Sequence, residues 1–181
     1  MMSEFRKKKL TWIFKTFYDA DESGFVEKKD FEESMNKLAK LQGWKESDVV
    51  YSIAKDVSAQ IWEGLQKMSD VDNDGKVTLD EWMTMWDIQG SELPEWNKLY
   101  CKITFHIQDA TGDGAVDEDE FVRVHVGFGV PKEVAAESFK KLSQGKPSLS
   151  WEEFEKLFTE FFLSDDENAP GNYIFGSNKF K

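Results

Sequence analysis

Sulfur and imidazole ligands are scarce in this chain of 181 residues. It has one cysteine, Cys101, and two histidines, His106 and His125. A single cysteine cannot form an intramolecular disulfide. No Ser/His/Asp, Cys/His or transition-metal constellation is present either, so we expect no enzymatic activity. Cys101 is predicted to be a small buried hydrophobe, and the two histidines are predicted to be structural or surface residues.

Long apolar segments are also absent. A membrane-spanning helix needs about 20 consecutive apolar residues, and no run in the chain approaches that length. The N-terminus lacks the apolar core of a signal peptide, and Met2 stands where N-myristoylation requires glycine. These absences predict a cytoplasmic protein with no stable insertion into a membrane.

Positive charge is in short supply. The chain has 23 basic and 35 acidic residues, and its formal net charge is −12. This balance disfavours nucleic acid as a partner. Residues 6–9 form the one basic run, which we interpret as the solvated face of the first helix.

Three twelve-residue segments, by contrast, are rich in oxygen ligands and share one pattern. They cover residues 19–30, 70–81 and 109–120. A hard cation such as Ca²⁺ takes roughly six to eight oxygens, and such a loop supplies them from positions 1, 3, 5 and 12 and from the backbone carbonyl of position 7. Position 6 is always glycine, which suits a backbone with positive φ, and position 8 is always valine, which anchors the loop to the core. The repeat predicts three Ca²⁺ sites.

The predicted metal ligands occupy the same positions in each segment. Loop one offers Asp19, Asp21, Ser23, the Phe25 carbonyl and Asp30. Loop two offers Asp70, Asp72, Asp74, the Lys76 carbonyl and Glu81. Loop three offers Asp109, Thr111, Asp113, the Ala115 carbonyl and Glu120. Position 9 is predicted to ligate directly or through water, and it is occupied by Glu27, Thr78 and Asp117.

Loop one departs from the other two at its last position. Asp30 stands where loops two and three have glutamate, and the neutral Ser23 supplies position 5. Because aspartate is one methylene shorter, the loop must contract before both carboxylate oxygens can reach a cation. A contracted shell favours fewer ligands, and Mg²⁺ tolerates that geometry better than a larger one. We therefore expect either Ca²⁺ or Mg²⁺ in loop one.

A fourth segment, residues 142–153, has the same spacing but has lost its ligands. Position 5 is Lys146, a cation in a cation site, and position 6 is Pro147, whose ring excludes a positive φ. Ser150 and Glu153 have the spacing of a capping box, so the following helix is expected to persist. We interpret Glu153 as a helix cap and not as a metal ligand.

Apolar residues between the loops recur at helical spacing and predict an all-α fold of eight helices in four helix–loop–helix units. The third helix is expected over residues 46–69, with Val50 and Ile53 in its apolar periodicity. Pro94 and Pro131 are predicted to occupy the first positions of the fifth and seventh helices.

The four units are expected to pair, one with two and three with four, through a short β contact at position 8. This predicts a compact fold of two paired halves, residues 1–90 and 91–163, joined by residues 87–93. Residues 164–181 form a tail in which residues 173–175 are apolar. We expect the tail to pack on the core, because a disordered tail seldom carries such a cluster. The alternative is an exposed docking peptide.

The whole chain resembles the EF-hand proteins, and among them the invertebrate sarcoplasmic calcium-binding proteins and the calexcitins. The features that carry the resemblance are a first loop that ends at Asp30 and follows Phe17 and Tyr18, the segments 93–96 and 109–113, the degenerate fourth loop and the ending at 161–164 and 175–176. The resemblance implies a four-hand fold with three occupied sites and a role in neuronal or muscle calcium signalling or buffering. Calexcitins are linked with GTP binding and potassium-channel regulation, but this chain has no phosphate-binding glycine-rich loop, so nucleotide binding is not carried over.

Three functions are compatible with such a protein. A calcium sensor opens a methionine-rich groove, whereas this chain has 6 Met against 15 Phe, 7 Trp and 4 Tyr. We therefore favour a closed calcium buffer or signal modulator, and keep a sensor that regulates a partner such as a channel as the alternative. A luciferin-binding photoprotein is less favoured, since only two histidines are available. We expect a monomer whose ligands are calcium ions and whose protein partner, if it has one, is not identified by the sequence.

Overall fold

The computed structural model describes residues 1–87, 90 and 92–180. Within them the chain forms the eight predicted helices. They are α1 (Glu4–Ile13), α2 (Lys28–Gln42), α3 (Val49–Ser69), α4 (Leu79–Trp86), α5 (Glu95–Gln108), α6 (Glu118–Gly127), α7 (Lys132–Ser143) and α8 (Trp151–Leu163). A π-helical turn, Phe14–Tyr18, follows α1, and a 3₁₀ turn, Pro170–Tyr173, lies in the tail. The predicted all-α fold is confirmed.

Four short strands join the loops in pairs. They are β1 (Phe25–Val26), β2 (Val77–Thr78), β3 (Ala115–Asp117) and β4 (Ser148–Ser150). β1 pairs with β2 and β3 with β4, both antiparallel, and the position 8 residues face each other as Val26 with Val77 and Val116 with Leu149. All four of these side chains are buried. The predicted pairing of the units, one with two and three with four, is confirmed.

The core is aromatic and receives side chains from both ends of the chain. Tyr18 stacks on Tyr100 with ring centroids 5.1 Å apart, and Trp86 stacks on Phe162 at 4.7 Å. These rings belong to one continuous buried cluster. The predicted halves therefore share a core. Their boundaries stay a prediction, because residues 88, 89 and 91 of the predicted connection 87–93 lie outside the described residues.

Three helix starts differ from the prediction. α3 begins at Val49 rather than at residue 46, because Asp48 closes a turn in which its carboxylate accepts from the Lys45 N–H at 2.7 Å. Pro94 and Pro131 precede α5 and α7 instead of opening them. Both prolines have an extended ψ, 150° and 141°, and their carbonyls accept hydrogen bonds from the first turn. They act as N-caps.

The predicted apolar periodicity of α3 is buried mainly in the second half of the helix. Ile61 and Leu65 are buried, whereas Val50 is 41% and Ile53 is 55% exposed. α3 packs against α5 and has 21 residues where α5 has 14. The first turns of α3 instead pack on α2, where Ala54 is buried in one cluster with Met35 and Ala39, and Val50 and Ile53 lie outside that cluster.

The interpretation of residues 6–9 as a solvated face is wrong for two of the four side chains. Arg6 is 7% and Lys9 is 0% exposed. The Arg6 guanidinium donates to the carbonyls of Trp86 (3.0 Å) and Phe162 (2.8 Å). These carbonyls lie at the C-terminal ends of α4 and α8, where the helix lacks internal donors and carries partial negative charge. Arg6 thus caps two helices that are distant in the sequence.

The tail lies against the core, and Lys9 holds its first part. The Lys9 ammonium donates to the Ser164 carbonyl and to Asn172 Oδ1, each at 2.9 Å. Burial lowers the pKa of Lys9 to about 8. Beyond this anchor, Ile174 and Phe175 are 2% and 3% exposed. Phe175 therefore occupies the interior, in contact with rings of both paired halves.

Candidate metal centres

Each of the three acidic loops turns at its sixth position with a positive φ. The values are 95° at Gly24, 79° at Gly75 and 83° at Gly114. An L side chain rarely adopts this conformation, so glycine is the residue that allows the turn. The turn brings the start of each loop close to its end.

The carboxylate at position 1 of each loop is hydrogen-bonded to the backbone of the same loop. In all three loops it accepts hydrogen bonds from the backbone N–H groups of positions 5 and 6, at 2.8 to 3.2 Å. The acceptors are Asp19, Asp70 and Asp109. Each of these residues caps the C-terminal end of the preceding helical segment. The helix end and the loop interior are thereby fixed relative to one another.

The carboxylate at position 12 closes loops one and three. One of its oxygens accepts from the N–H of position 9, and the other accepts from the N–H of position 3. The bonds join Asp30 to Glu27 (2.7 Å) and Asp21 (3.1 Å), and Glu120 to Asp117 (3.2 Å) and Thr111 (3.1 Å). Each of these acids therefore caps the following helix and also reaches into the loop, which places its oxygens next to the other predicted ligands.

These contacts gather carboxylates in all three loops, with one difference. Oxygens that lie within 4.8 Å of one another come from Asp19, Asp21 and Asp30 in loop one, from Asp70, Asp72 and Asp74 in loop two, and from Asp109, Asp113 and Glu120 in loop three. In loop two Glu81 is outside the cluster and accepts from the Thr78 N–H at 3.1 Å. Within the described residues, the backbone N–H of Asp72, at position 3 of this loop, does not donate to Glu81, in contrast to the position 3 N–H groups of loops one and three.

The electrostatics of loop one fit a cation. Asp30 is 0% exposed, and burial raises its pKa to about 6 although two backbone amides donate to it. Burying a carboxylate beside other carboxylates is unfavourable unless positive charge compensates. A divalent ion bound among these oxygens would supply that charge.

Lys29 is a charged neighbour of loop one that the sequence analysis missed. Its ammonium lies 2.8 Å from Asp21 Oδ2, and this hydrogen bond lowers the pKa of Asp21. Lys29 stands at position 11, directly before the predicted ligand at position 12. This place in the sequence could have indicated that its ammonium contacts the loop's carboxylates. It is half exposed and can turn away when a metal ion competes for the carboxylate.

The fourth loop carries its own positive charge. Lys146 Nζ lies 2.8 Å from Glu153 Oε2, so positions 5 and 12 are joined by an ion pair where the other loops gather carboxylates. Positive φ occurs at Gln144 and Gly145, positions 3 and 4, and not at position 6. The capping box is only half formed, because Ser150 caps the Glu153 N–H while the Glu153 carboxylate turns to Lys146 and the Ser150 hydroxyl.

The remaining candidate residues lie in the core or at the surface. Cys101 is buried as predicted, and burial raises the pKa of its thiol. His125 is also buried: its Nδ1 donates to the Phe121 carbonyl at 2.7 Å, and desolvation lowers its pKa to about 4. His106 is exposed. Within the described part of the chain, no helix is long and apolar enough to span a membrane.

Comparison with known proteins finds a family model that matches two of the three loops, and relatives that match nearly the whole chain. The model of the EF hand matches residues 67–86 and 102–125, which contain loops two and three. Calexcitin-1 of Caenorhabditis elegans is 29% identical over 178 residues, which covers 95% of this chain and 86% of that protein. Sarcoplasmic calcium-binding proteins II, V, VI and VII of Branchiostoma lanceolatum are 24% identical over 97% of this chain.

A solved structure agrees with these similarities at the level of the fold. A sarcoplasmic calcium-binding protein from amphioxus superposes with a TM-score of 0.83, at 23% identity, over 98% of this chain and 99% of the other. The chain is thus similar over nearly its whole length to a calexcitin and to sarcoplasmic calcium-binding proteins.

Proposed function

We propose that this chain, a calcium-binding EF-hand protein similar to calexcitin and the sarcoplasmic calcium-binding proteins, is a calcium buffer or signal modulator of the cytoplasm. It binds three divalent cations, one in each acidic loop. The observation that carries this proposal is the threefold recurrence of the same carboxylate cluster, organised by backbone amides. The fourth loop contributes no ion, because Lys146 already neutralises its acid.

The proposed ligands are the fifteen positions predicted from the three loops. In loops one and three the position 12 acids, Asp30 and Glu120, are already oriented into the cluster. In loop two, Glu81 would complete the shell. We propose Ca²⁺ at loops two and three, and Ca²⁺ or Mg²⁺ at loop one. The short side chain of Asp30 supports Mg²⁺ there, because it favours a contracted shell.

A buffer is supported over a sensor by the way the tail covers the apolar interior. Phe175 packs against Phe17 at 5.2 Å, Phe158 at 5.7 Å and Phe161 at 4.8 Å between ring centroids. A target helix would need such an apolar surface to bind. A protein in which its own tail occupies that surface presents little of it to a partner. We propose further that the protein is a monomer and has no enzymatic activity.

Whether the tail covers the apolar interior therefore distinguishes a buffer from a sensor. Deleting residues 170–181 tests this. Removal exposes the rings that Ile174 and Phe175 now cover, and each such buried side chain contributes about 2 kcal/mol. We expect the calcium-loaded intact protein to bind a hydrophobic dye weakly and the truncated protein to bind it strongly. Dye fluorescence and thermal unfolding are the measurements.

The control is Lys179→Ala, which alters an exposed tail residue and should change neither reading. If the intact, calcium-loaded protein binds the dye strongly and the deletion changes nothing, the tail is a free docking peptide. The sensor would then replace the buffer as the proposed function.

A further inference from the structure

Loop one carries a positive charge at a position where loops two and three carry an acid. Position 11 is Lys29 in loop one, Asp80 in loop two and Asp119 in loop three. The Lys29 ammonium lies 2.8 Å from Asp21 Oδ2 and 3.6 Å from Glu27 Oε2. It therefore contacts the acids at positions 3 and 9, which are both predicted metal ligands.

The carboxylate at position 3 of loop one already has a partner for each of its oxygens. Lys29 contacts Asp21 Oδ2, and the Ser23 N–H donates to Asp21 Oδ1 at 3.1 Å. A divalent ion that takes this carboxylate as a ligand competes with these two partners. The Ser23 N–H belongs to the backbone of the loop, whereas the Lys29 side chain is long, flexible and 54% exposed. The ammonium is therefore the partner that an ion displaces.

The other loops show what is particular to this contact. Within the described residues, no lysine or arginine forms an ion pair with an acid of loop two or loop three. The lysine of loop two, Lys76, instead has its ammonium 4.3 Å from the ring centroid of Phe25. Loop four does contain an ion pair, between Lys146 and Glu153, but its lysine occupies a ligand position. In loop one the acids of positions 1, 3 and 12 remain, and the lysine stands outside the ligand positions.

From this geometry we propose that Lys29 is a tethered competitor of the metal ion in loop one. Its ammonium neutralises the acids of the loop when no ion is bound, and it leaves Asp21 when an ion binds. An interaction that stabilises only the metal-free state lowers the affinity for the ion. Lys29 thus sets the affinity of loop one below the value that its carboxylates alone would give. The inference rests on the proposed function, because it requires a cation site at loop one.

Replacing Lys29 with methionine removes the charge and keeps an unbranched side chain. Because a partly exposed ion pair is weak, we expect Lys29→Met to raise the affinity of loop one for Ca²⁺ by about fivefold. The affinities of loops two and three should stay unchanged. Nuclear magnetic resonance of the full chain in Ca²⁺ buffers follows each loop separately, through the backbone amides of Gly24, Gly75 and Gly114. Each of these amides donates to the position 1 carboxylate of its own loop.

Lys28→Met is the matched control. Lys28 is the neighbouring residue at position 10, is exposed, and forms no ion pair within the described part of the chain. The control removes the same formal charge without removing the contact. Since salt screens exposed charges at a distance, we expect it to change the affinity of loop one by less than about twofold. Equal gains in the two variants would assign the effect to overall charge and overturn the proposal.

Thermal unfolding of the calcium-loaded protein separates competition from a structural role. Lys29 has left Asp21 in the loaded state, so Lys29→Met should leave the unfolding temperature unchanged. A lower temperature in this variant, or an affinity of loop one that is unchanged or reduced, would overturn the proposal. If the Gly24 amide of the unaltered protein does not respond to Ca²⁺, the proposed function fails at loop one. In that case, Ca²⁺ binding at loop one of Lys29→Met would still support the competitor, and its absence there would overturn it.

Discussion

Loops three and four are neighbours in one β pair, yet only one of them gathers acids for a metal ion. Val116 and Leu149 face each other across β3 and β4 and are both buried. In loop three the carboxylates of Asp109, Asp113 and Glu120 converge. In loop four the Lys146 ammonium pairs with Glu153. Loop three thus offers its carboxylates to a diffusible cation. In loop four, the positive charge next to the acid belongs to the chain itself, on the Lys146 side chain.

The difference shows that the scaffold of an EF hand and its ligands are separable. The fourth helix–loop–helix unit, hand four, keeps its strand β4 and the N-cap of α8. In this cap the Ser150 hydroxyl accepts from the Glu153 N–H at 3.2 Å. It also keeps an apolar helix face, on which Phe158 and Phe161 meet Phe175 of the tail. We therefore expect the stability of hand four to come from packing, and that of hand three to depend in part on a bound ion.

Removing the tail's packing should have the largest effect on this comparison. Phe175→Ala deletes a buried ring that touches hand four, and we expect it to lower the free energy of unfolding by about 3–5 kcal/mol. Urea unfolding of the calcium-loaded protein measures the change. Lys179→Ala, at an exposed position, should stay within about 0.5 kcal/mol of the unaltered protein. Equal effects of the two substitutions would show that packing does not support hand four.

Removing one charged ligand should disable hand three without unfolding it. Glu120→Gln keeps the cap on α6 but halves the oxygens available at position 12. Loss of a group that merely orients a metal ligand typically costs about 10–100-fold in affinity, so a direct ligand should cost at least about 100-fold. Calorimetry should then count one fewer Ca²⁺ per chain. Asp119→Asn, at an exposed position of the same loop, is the control and should leave the count unchanged.

Loop one extends the comparison to the choice of metal. Asp30→Glu restores the side-chain length found at Glu81 and Glu120, and we expect its preference for Ca²⁺ over Mg²⁺ to rise by about tenfold, or about 1.4 kcal/mol. Competition titration with and without millimolar Mg²⁺ measures this. An unchanged ratio would show that the length of the position 12 side chain does not set selectivity.

The smallest effect is expected at the ion pair of loop four. Lys146 and Glu153 are both partly exposed, and such pairs contribute about 0.2–1 kcal/mol. Lys146→Ala should therefore lower the free energy of unfolding by no more than this, and it should not create a calcium site, since Pro147 remains. High salt should reduce the difference between the variant and the unaltered protein. A new calcium site in Lys146→Ala would show that lysine alone kept the loop empty of metal.

The loops, the helices and the positions of the short strands could be predicted because their signals are local in the sequence. Position 6 glycines, position 8 valines and helical apolar spacing each act within a few residues. The burial of Arg6 and Lys9 could not be predicted in this way. Their acceptors, the carbonyls of Trp86, Phe162 and Ser164, reach the first helix only when the whole chain has folded.

The burial of Gln108 was equally invisible in the sequence. Gln108 follows Ile107 at the end of an ordinary amphipathic helix, and nothing in its neighbours marks it as buried. Likewise, the ligand types of loop two were predictable, but the orientation of Glu81 was not: its carboxylate accepts from the Thr78 N–H, as in the other loops, without the position 3 bond that Asp30 and Glu120 accept.

The count of bound ions tests the central claim most directly. Calorimetric titration of the metal-free chain with Ca²⁺, checked by anomalous scattering from crystals of the loaded protein, gives the number and place of the ions. We predict three, in the loops at residues 19–30, 70–81 and 109–120, and none in the loop at 142–153. A saturated count of two or four, or density for an ion between Lys146 and Glu153, would contradict it.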